Sequence, residues 1–461
     1  MNLSIVGTGY VGLVTGTCLA AAGHRVACVD VRANIVEMIN SGRPPIYEAG
    51  LELLLSQVIR DAMLTATTDL DSAVANSDVT MLCVGTPTVN SQTDLSQIQL
   101  ASQSIGGALR KKTAYHVVVV KSTVLPGTTE DLVQPSIENA CQRKLGEGWG
   151  LCMNPEFLRE GQAVEDCRWP DRIVIGVSDD RAAEVMRQLY AGSHCPLVVT
   201  TPKTAEMIKY VANSLFATLI SFSNEVGNLC ASVPGVDARE VWRGVHLDRR
   251  LTPMRAEPGK PAEVVHYLWH GLGFGGSCFP KDVAALRGFG KRNGVATGLL
   301  DSVLTTNETQ PLRMIDLLEK EMDVPNKKVA VLGLAFKPGT DDLRDSPAFP
   351  VIRALKKRGA KVVVHDPVAM PLARRHDELS GVDFASDWQD ALKEADACCL
   401  VTSWSEYKAI TPEHCLQFMR QPVILDGRGF FDPTSFTRAG VIWRGIGYTP
   451  IVPLPAVPKW D

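Results

Sequence analysis

Apolar and polar positions fall into three regimes along this chain. In the first, short runs that are apolar on both faces alternate with helical stretches. The runs are Leu3–Val6, Arg25–Val29, Val79–Val84, Val117–Val120, Gly150–Met153 and Arg172–Gly176. Such strands, separated by helices, predict a parallel sheet covered on both sides. From Thr204 to Leu229 the period changes. Ala205, Ile208, Val211, Ala212, Leu215, Leu219, Phe222 and Val226 recur at helical spacing. This predicts one long helix, too apolar to stand alone: a connecting spine and a dimer seam. A third, alternating regime opens at Lys327. It holds the strands Val329–Leu332 and Lys361–His365, a helix near Pro350–Arg358, Asp366 at a strand end, and a buried strand Ala397–Val401. This order repeats that of the first regime, so both are expected to be doubly wound.

The expected fold class is therefore α/β: two Rossmann-like doubly wound domains joined by a long central helix and a small helical domain. The expected divisions are 1–202, 203–310 and 311–461. The stretch Leu251–Val264, rich in Pro, Gly and charge, reads as an exposed loop, and the tail Pro450–Asp461 as irregular.

Composition narrows the partners. The 461 residues are 45% hydrophobic and 21% charged, with a formal net charge of −4. Neither nucleic acid nor a membrane surface is expected, so an anionic ligand must be held by local cations. The 12 cysteines have no regular spacing and no CxxC. No metal site and no disulfide framework is expected, and the pattern suits a reducing cytoplasm. The apolar stretch 3–22 lacks a basic leader and reads as a strand, a turn and a helix rather than a signal peptide.

Two loops carry chemistry. Gly7-Thr8-Gly9-Tyr10-Val11-Gly12 follows a strand and opens a helix, and Asp30 ends the next strand. Glycines let the backbone reach a pyrophosphate, the helix start binds it, and the acid accepts ribose hydroxyls. A carboxylate repels a 2′-phosphate, so NAD is expected over NADP, with Arg32 nearby. Thr86 and Thr123, in the loops after two further strands, offer hydroxyls at the same crevice. The second loop is Gly273-Phe274-Gly275-Gly276-Ser277-Cys278-Phe279-Pro280-Lys281-Asp282. Pro280 suits the first position of a helix running to Phe289, which leaves Cys278 just ahead of it, where the N–H groups favour thiolate. The glycines are expected to clear the way for substrate. Asp282, one turn on, is placed to orient a water or a neighbouring base.

GTGYVG, VGTP, STVLPGTT, NPEFLREG, the helix with Lys209 and Asn213, GFGGSCFPKD, GLAFKPGTDDLRDSP and LDGR form an ordered set. In that set the chain resembles the UDP-glucose and GDP-mannose dehydrogenase family from end to end. The resemblance implies oxidation of a nucleotide-sugar alcohol to a carboxylate in two steps, using two NAD, in a homodimer or larger homo-oligomer. It implies Cys278 as nucleophile, Lys209 steadying negative charge on the substrate oxygen, Asp282 assisting water or lysine, Glu156 as acid/base and Thr123 holding water. Asn213 is implied to contact substrate, and Glu160 to touch both substrate and nicotinamide. Lys337 is expected at the nucleotide, Arg344 at the cofactor and Arg428 at the substrate. Phe157, Leu158, Tyr267 and Gly273 complete the expected substrate contacts. A plain alcohol dehydrogenase needs no thiolate, whereas oxidising an aldehyde to an acid benefits from one.

The chain departs from the family twice. Ile35 stands where a cation often follows the cofactor aspartate, which leaves Arg32 to cover the adenine. Between Leu247-Asp248-Arg249-Arg250 and the cysteine loop lies an inserted polar segment. Arg250 is the best match for an arginine that reaches a partner subunit's substrate, and the insertion beside the pocket bears on which sugar is taken. UDP-glucose is the first expectation, with GDP-mannose and UDP-N-acetylhexosamines as alternatives. A two-electron hydroxyacid-type dehydrogenase and a non-catalytic nucleotide-sugar or NAD sensor are the rival classes.

Overall fold

The computed structural model describes residues 1–89, 92–248, 250–251 and 263–448. The expectations for the loop at 252–262 and for the tail from Pro450 lie outside them. The chain divides into two compact units, 1–212 with 288–293, and 213–287 with the residues from 294 on.

The first unit is built on β1 (Asn2–Val6), β2 (Arg25–Val29), β3 (Leu64–Thr67) and β4 (Val79–Leu82). A small hairpin, β5 (Thr88–Val89) and β6 (Gln92–Thr93), follows. Then come β7 (His116–Val120), β8 (Trp149–Met153), β9 (Ile173–Val177) and β10 (Leu197–Thr200). The main sheet has the order β10-β9-β8-β7-β4-β1-β2-β3. β7 is His-Val-Val-Val-Val and fully buried, as β-branched residues in a sheet covered on both faces should be. Burying each such valine stabilises the fold by about 1.5–3 kcal/mol. The chain leaves β1 in one direction to β2 and returns on its other side at β4. A ligand crevice is expected past the ends of those two strands.

The sheet is not parallel throughout. β9 pairs antiparallel with β8, through Cys152↔Val177 and Met153↔Gly176. The segment between them carries one short helix, Ala163–Arg168, at the end of the sheet where β8 finishes. A parallel return needs a crossover of the full strand length; without it, β9 starts from the same end and runs back. β3 and β10 were not expected. β3 is four residues with two threonines, and β10 is a partly exposed edge.

In the second unit β11 (Lys328–Leu332), β12 (Lys361–His365), β13 (Asp383–Phe384), β14 (Ala397–Leu400), β15 (Val423–Asp426) and β16 (Ile442–Gly445) form a parallel sheet. Its order is β13-β12-β11-β14-β15-β16. This is the doubly wound order, so the repeat read from the sequence is a repeat of topology. The glycine turns match as well: Gly7 N–H donates to Val29 O at 2.9 Å, and Gly333 N–H to His365 O at 2.8 Å.

The acids that end the second strands differ. Asp366 is 1% exposed. One carboxylate oxygen accepts from Leu334 N, Ala335 N and Trp404 Nε1, the other from Val368 N and Ala369 N. Its own glycine loop has closed over it.

The helix Pro202–Ala231 is 30 residues long and extends the expected span at both ends. Its first turn is tied down by Glu206, whose carboxylate accepts from Gly127 N at 2.6 Å and Thr129 N at 2.8 Å. The boundary between the units falls within this helix. The helix after the cysteine loop is Phe279–Arg292, one residue earlier at its start and longer than expected.

Candidate active site

In the first unit the dinucleotide loop has the form its sequence implied. Gly7 has φ +95, and a Cβ there would lie 2.8 Å from the Cys83 carbonyl oxygen. A Cβ on Gly12 would collide with Gly7 O at 1.9 Å. At Gly9 a Cβ would meet nothing within 4 Å among the described residues, so open space lies before the helix Tyr10–Ala21. The first N–H groups of a helix have no partner within it. A backbone cradle, an open front and an acid at the end of β2 fit a dinucleotide. The Asp30 carboxylate is gripped by Arg32, Nε to Oδ1 at 3.0 Å and Nη2 to Oδ2 at 3.1 Å, and by the Thr8 hydroxyl at 2.5 Å. Burial opposes its ionisation, but the Arg32 and Thr8 hydrogen bonds outweigh it and hold its pKa down at about 2. Tyr10 starts the helix, but its hydroxyl is directed to Glu48. Thr86 donates to the carbonyl of Thr123 at 3.0 Å, so these two expected residues lie together.

Beyond β8 the chain places Glu156 against Lys209 of the long helix, Oε1 to Nζ 2.9 Å. Both side chains are about 5% exposed or less. Burial would raise the Glu156 pKa. The charge and hydrogen bond of Lys209, the Leu158 N–H at 2.6 Å and the charge of Lys121 outweigh it and bring it below the ordinary value. Phe157 lies between two cations, with Arg172 Cζ 3.9 Å and Lys209 Nζ 5.6 Å from its ring centre. The sequence reading passed over Lys121. It follows β7 directly, is buried, and donates to Asn154 Oδ1 at 2.9 Å, where Tyr190 also donates at 2.7 Å. Burial lowers its pKa. A lysine at the carboxyl end of a run of four valines was the signal that could have marked it.

In the second unit Cys278 is half-buried, one residue ahead of the helix Phe279–Arg292, and its carbonyl accepts the Asp282 N–H at 2.8 Å. Its Sγ lies 3.5 Å from Ser277 Oγ. Asp282 is 1% exposed and held from both sides, by Asn213 Nδ2 at 2.6 Å and Lys281 Nζ at 2.7 Å. Lys281 was not expected, and the Asn213 amide donates one hydrogen bond to Asp282. Two glycines of this loop also make room for its own neighbours. A Cβ on Gly275 would lie 2.3 Å from Asp345 O, and one on Gly276 2.8 Å from the Phe336 ring. They let the loop lie flat on the 336–345 segment.

Arg428, half-buried, anchors that loop, with Nε donating to Val401 O at 2.7 Å and Nη1 to Gly273 O at 3.3 Å. Burial lowers its pKa to about 10 against the pull of Asp426. Tyr267 stacks on Phe216 with ring centres 4.3 Å apart. The Lys337 ammonium is 5.8 Å from the Phe336 ring centre. Arg344, expected at the cofactor, belongs to this second unit and grips Asp342, while its carbonyl accepts the Gly276 N–H at 2.8 Å. The Arg250 side chain is 88% exposed and paired with Asp248 at 2.5 Å.

Residues 1–194 match the NAD binding domain of the UDP-glucose/GDP-mannose dehydrogenase family, 203–309 its central domain and 330–433 its UDP binding domain. The chain belongs to that family. As a member it is an NAD-dependent oxidoreductase with a domain for a uridine nucleotide. It is 42% identical to UDP-glucose 6-dehydrogenase AglM of Haloferax volcanii, over 93% of this chain and 96% of that one. It is 38% identical to GDP-mannose 6-dehydrogenase of Pseudomonas putida, over 96% and 100%. Its fold is similar to that of a UDP-glucose dehydrogenase from Pyrobaculum islandicum, with TM-score 0.87 and 40% identity over 97% and 98% of the two chains. No helix among the described residues is long and apolar enough to cross a membrane.

Proposed function

We propose that the chain oxidises the C6 alcohol of UDP-glucose to the carboxylate of UDP-glucuronate, a four-electron reaction. The observation that carries this is Cys278. It sits ahead of a 14-residue helix whose first turn holds a buried carboxylate clamped by an amide and an ammonium. A two-electron dehydrogenase would leave that thiol without a task.

Bound NAD supplies the hydride acceptor, once for each oxidation, and Gly7, Gly9, Gly12 and Asp30 are the residues that would hold it. In the first oxidation Lys209 balances negative charge on the substrate oxygen as its proton leaves. The Cys278 thiolate then adds to the aldehyde carbon, giving a thiohemiacetal. Loss of a second hydride leaves a thioester. Glu156 takes a proton from the attacking water, which Thr123 and Asp282 orient, and the C–S bond breaks to release carboxylate and thiolate. One alcohol, one water and two NAD yield one carboxylate, two NADH and three protons. Lys337 and Arg428 are assigned to the nucleotide diphosphate, Arg344 to the cofactor side, Glu160 to both sugar and nicotinamide, and Phe157, Leu158, Asn213, Tyr267 and Gly273 to the sugar.

The same reading takes 1–202, 203–310 and 311–461 as the working domains, a cytoplasmic location and a homodimer that shares Arg250 with the partner's site. Val211, Leu215, Phe222 and Leu229, each half exposed or more on the long helix, support the dimer.

The test counts NADH per sugar consumed over a panel of nucleotide sugars. Two NADH with UDP-glucose, abolished in Cys278→Ser, is the expected result. One NADH would sink the four-electron mechanism, and turnover of GDP-mannose alone would move the substrate.

A further inference from the structure

Glu48 lies outside every motif that pointed to the reaction, yet donors from two of those motifs converge on it. Its Oε2 accepts the Tyr10 hydroxyl and the Gly161 N–H, the latter at 2.7 Å, and its Oε1 accepts the Ala163 N–H at 2.8 Å. The Gly161 N–H also reaches the Tyr10 oxygen at 3.2 Å. The residue is 6% exposed. Tyr10 is the first residue of the helix that the glycine loop opens, and Gly161 directly follows Glu160. A carboxylate only accepts, and each of these three hydrogen-bond partners is a donor, so the junction is charge-assisted and fixed in direction.

We propose that Glu48 is a positioning residue for the dehydrogenase reaction, holding the segment that carries Glu156 and Glu160 in register with the loop that receives the dinucleotide. What those segments do rests on the function proposed above. Capping the helix Ala163–Arg168 would account for the Ala163 bond alone. The Tyr10 hydroxyl has no part in a cap, and it ties the cofactor loop to the same carboxylate. Order imposed on one segment by NAD is thereby passed to the other.

The experiment compares wild type, Glu48→Gln, Tyr10→Phe and the double variant in the full-length chain. For each, the NAD dissociation constant is measured by calorimetry without sugar, kcat with UDP-glucose, and the thermal midpoint. Whichever way the glutamine amide turns, its NH2 faces a backbone N–H. Glu48→Gln is expected to weaken NAD about fivefold or more and to lower kcat about tenfold or more. Tyr10→Phe should move both in the same direction by less. The double variant should fall no further than Glu48→Gln, because both changes break one junction. Loss of thermal stability alone, with both constants within about twofold of wild type, overturns the proposal, as does multiplication of the two effects in the double variant. If Glu48→Gln does not fold, Tyr10→Phe decides: both constants unchanged overturn the proposal, and both shifted sustain it. A wild type that binds NAD but makes no NADH sinks the functional reading instead, and the dissociation constants still decide on Glu48.

Discussion

The Asn213 side-chain amide donates to Asp282 at 2.6 Å, and this bond joins the long helix to the first turn of the helix behind Cys278. Lys281 closes on the other oxygen, so the buried carboxylate is fully oriented. Asp282→Asn should keep the shape and lose the charge. We expect kcat to fall roughly a hundredfold or more, as for loss of a positioned acid/base group. The thermal midpoint should drop too, because Lys281 loses its partner. Steady-state rates with a melting curve check both.

The ion pair of Lys209 and Glu156 is nearly sealed from solvent. Lys209→Met strands a buried carboxylate and should destabilise the fold by about 3–5 kcal/mol. Lys209→Met with Glu156→Gln should cost less than the lysine change alone. Glu156 has its folded pKa below the unfolded value, so its contribution is present above about pH 4.3 and lost as pH falls through the folded value. Urea titrations of the wild type and the two variants at neutral and acid pH would show both effects.

Asp30 titrates near 2, so it stays ionised over the working range and NAD binding should not vary with its protonation above about pH 4. Asp30→Ala removes the acceptor for the ribose and releases Arg32. The NAD dissociation constant should rise roughly tenfold or more, and the preference for NAD over NADP should narrow. Direct titration with both cofactors measures this.

Buried histidines make the fold acid-sensitive, His270 and His116 among them. Burial lowers His270 to about 4, with Asp237 and Arg239 nearby, and lowers His116 to about 3, with Lys112 adding to the effect. Above about pH 6.5 both are neutral folded and unfolded. Below it the unfolded chain takes protons that the folded chain refuses, so stability declines from about pH 6.5 toward the folded values. His270→Gln should make the unfolding free energy depend less steeply on pH between about 6 and 4.5, by about one proton.

The parts of this fold that repeat a local pattern were readable in the chain. β11 and β12 fell within a residue of expectation because Lys-Val-Ala-Val-Leu and Lys-Val-Val-Val-His are unbroken apolar runs. Direction was not readable: nothing in Ile-Val-Ile-Gly-Val says that β9 runs against β8, since that follows from the path between them. The glycines of the cysteine loop could be seen, but not that Gly275 and Gly276 also make room for Asp345 and Phe336. Glu48 was invisible for a similar reason. It stands alone between Tyr47 and Ala49, and its backbone donors come from more than a hundred residues away.

The inward turn of Asp366 bears on the order of events. Of the two sheets, which share the winding of their first four strands, one has an acid capped by Thr8 and Arg32 at an open loop, and the other an acid consumed largely by its own backbone. If the same carbon is oxidised twice through that one seat among the described residues, as proposed, spent cofactor must leave and fresh cofactor enter midway. The half-finished sugar has to wait through that exchange without escaping as a free aldehyde. In the proposed reaction a covalent tether to Cys278, more than the chemistry of either oxidation alone, would let it wait.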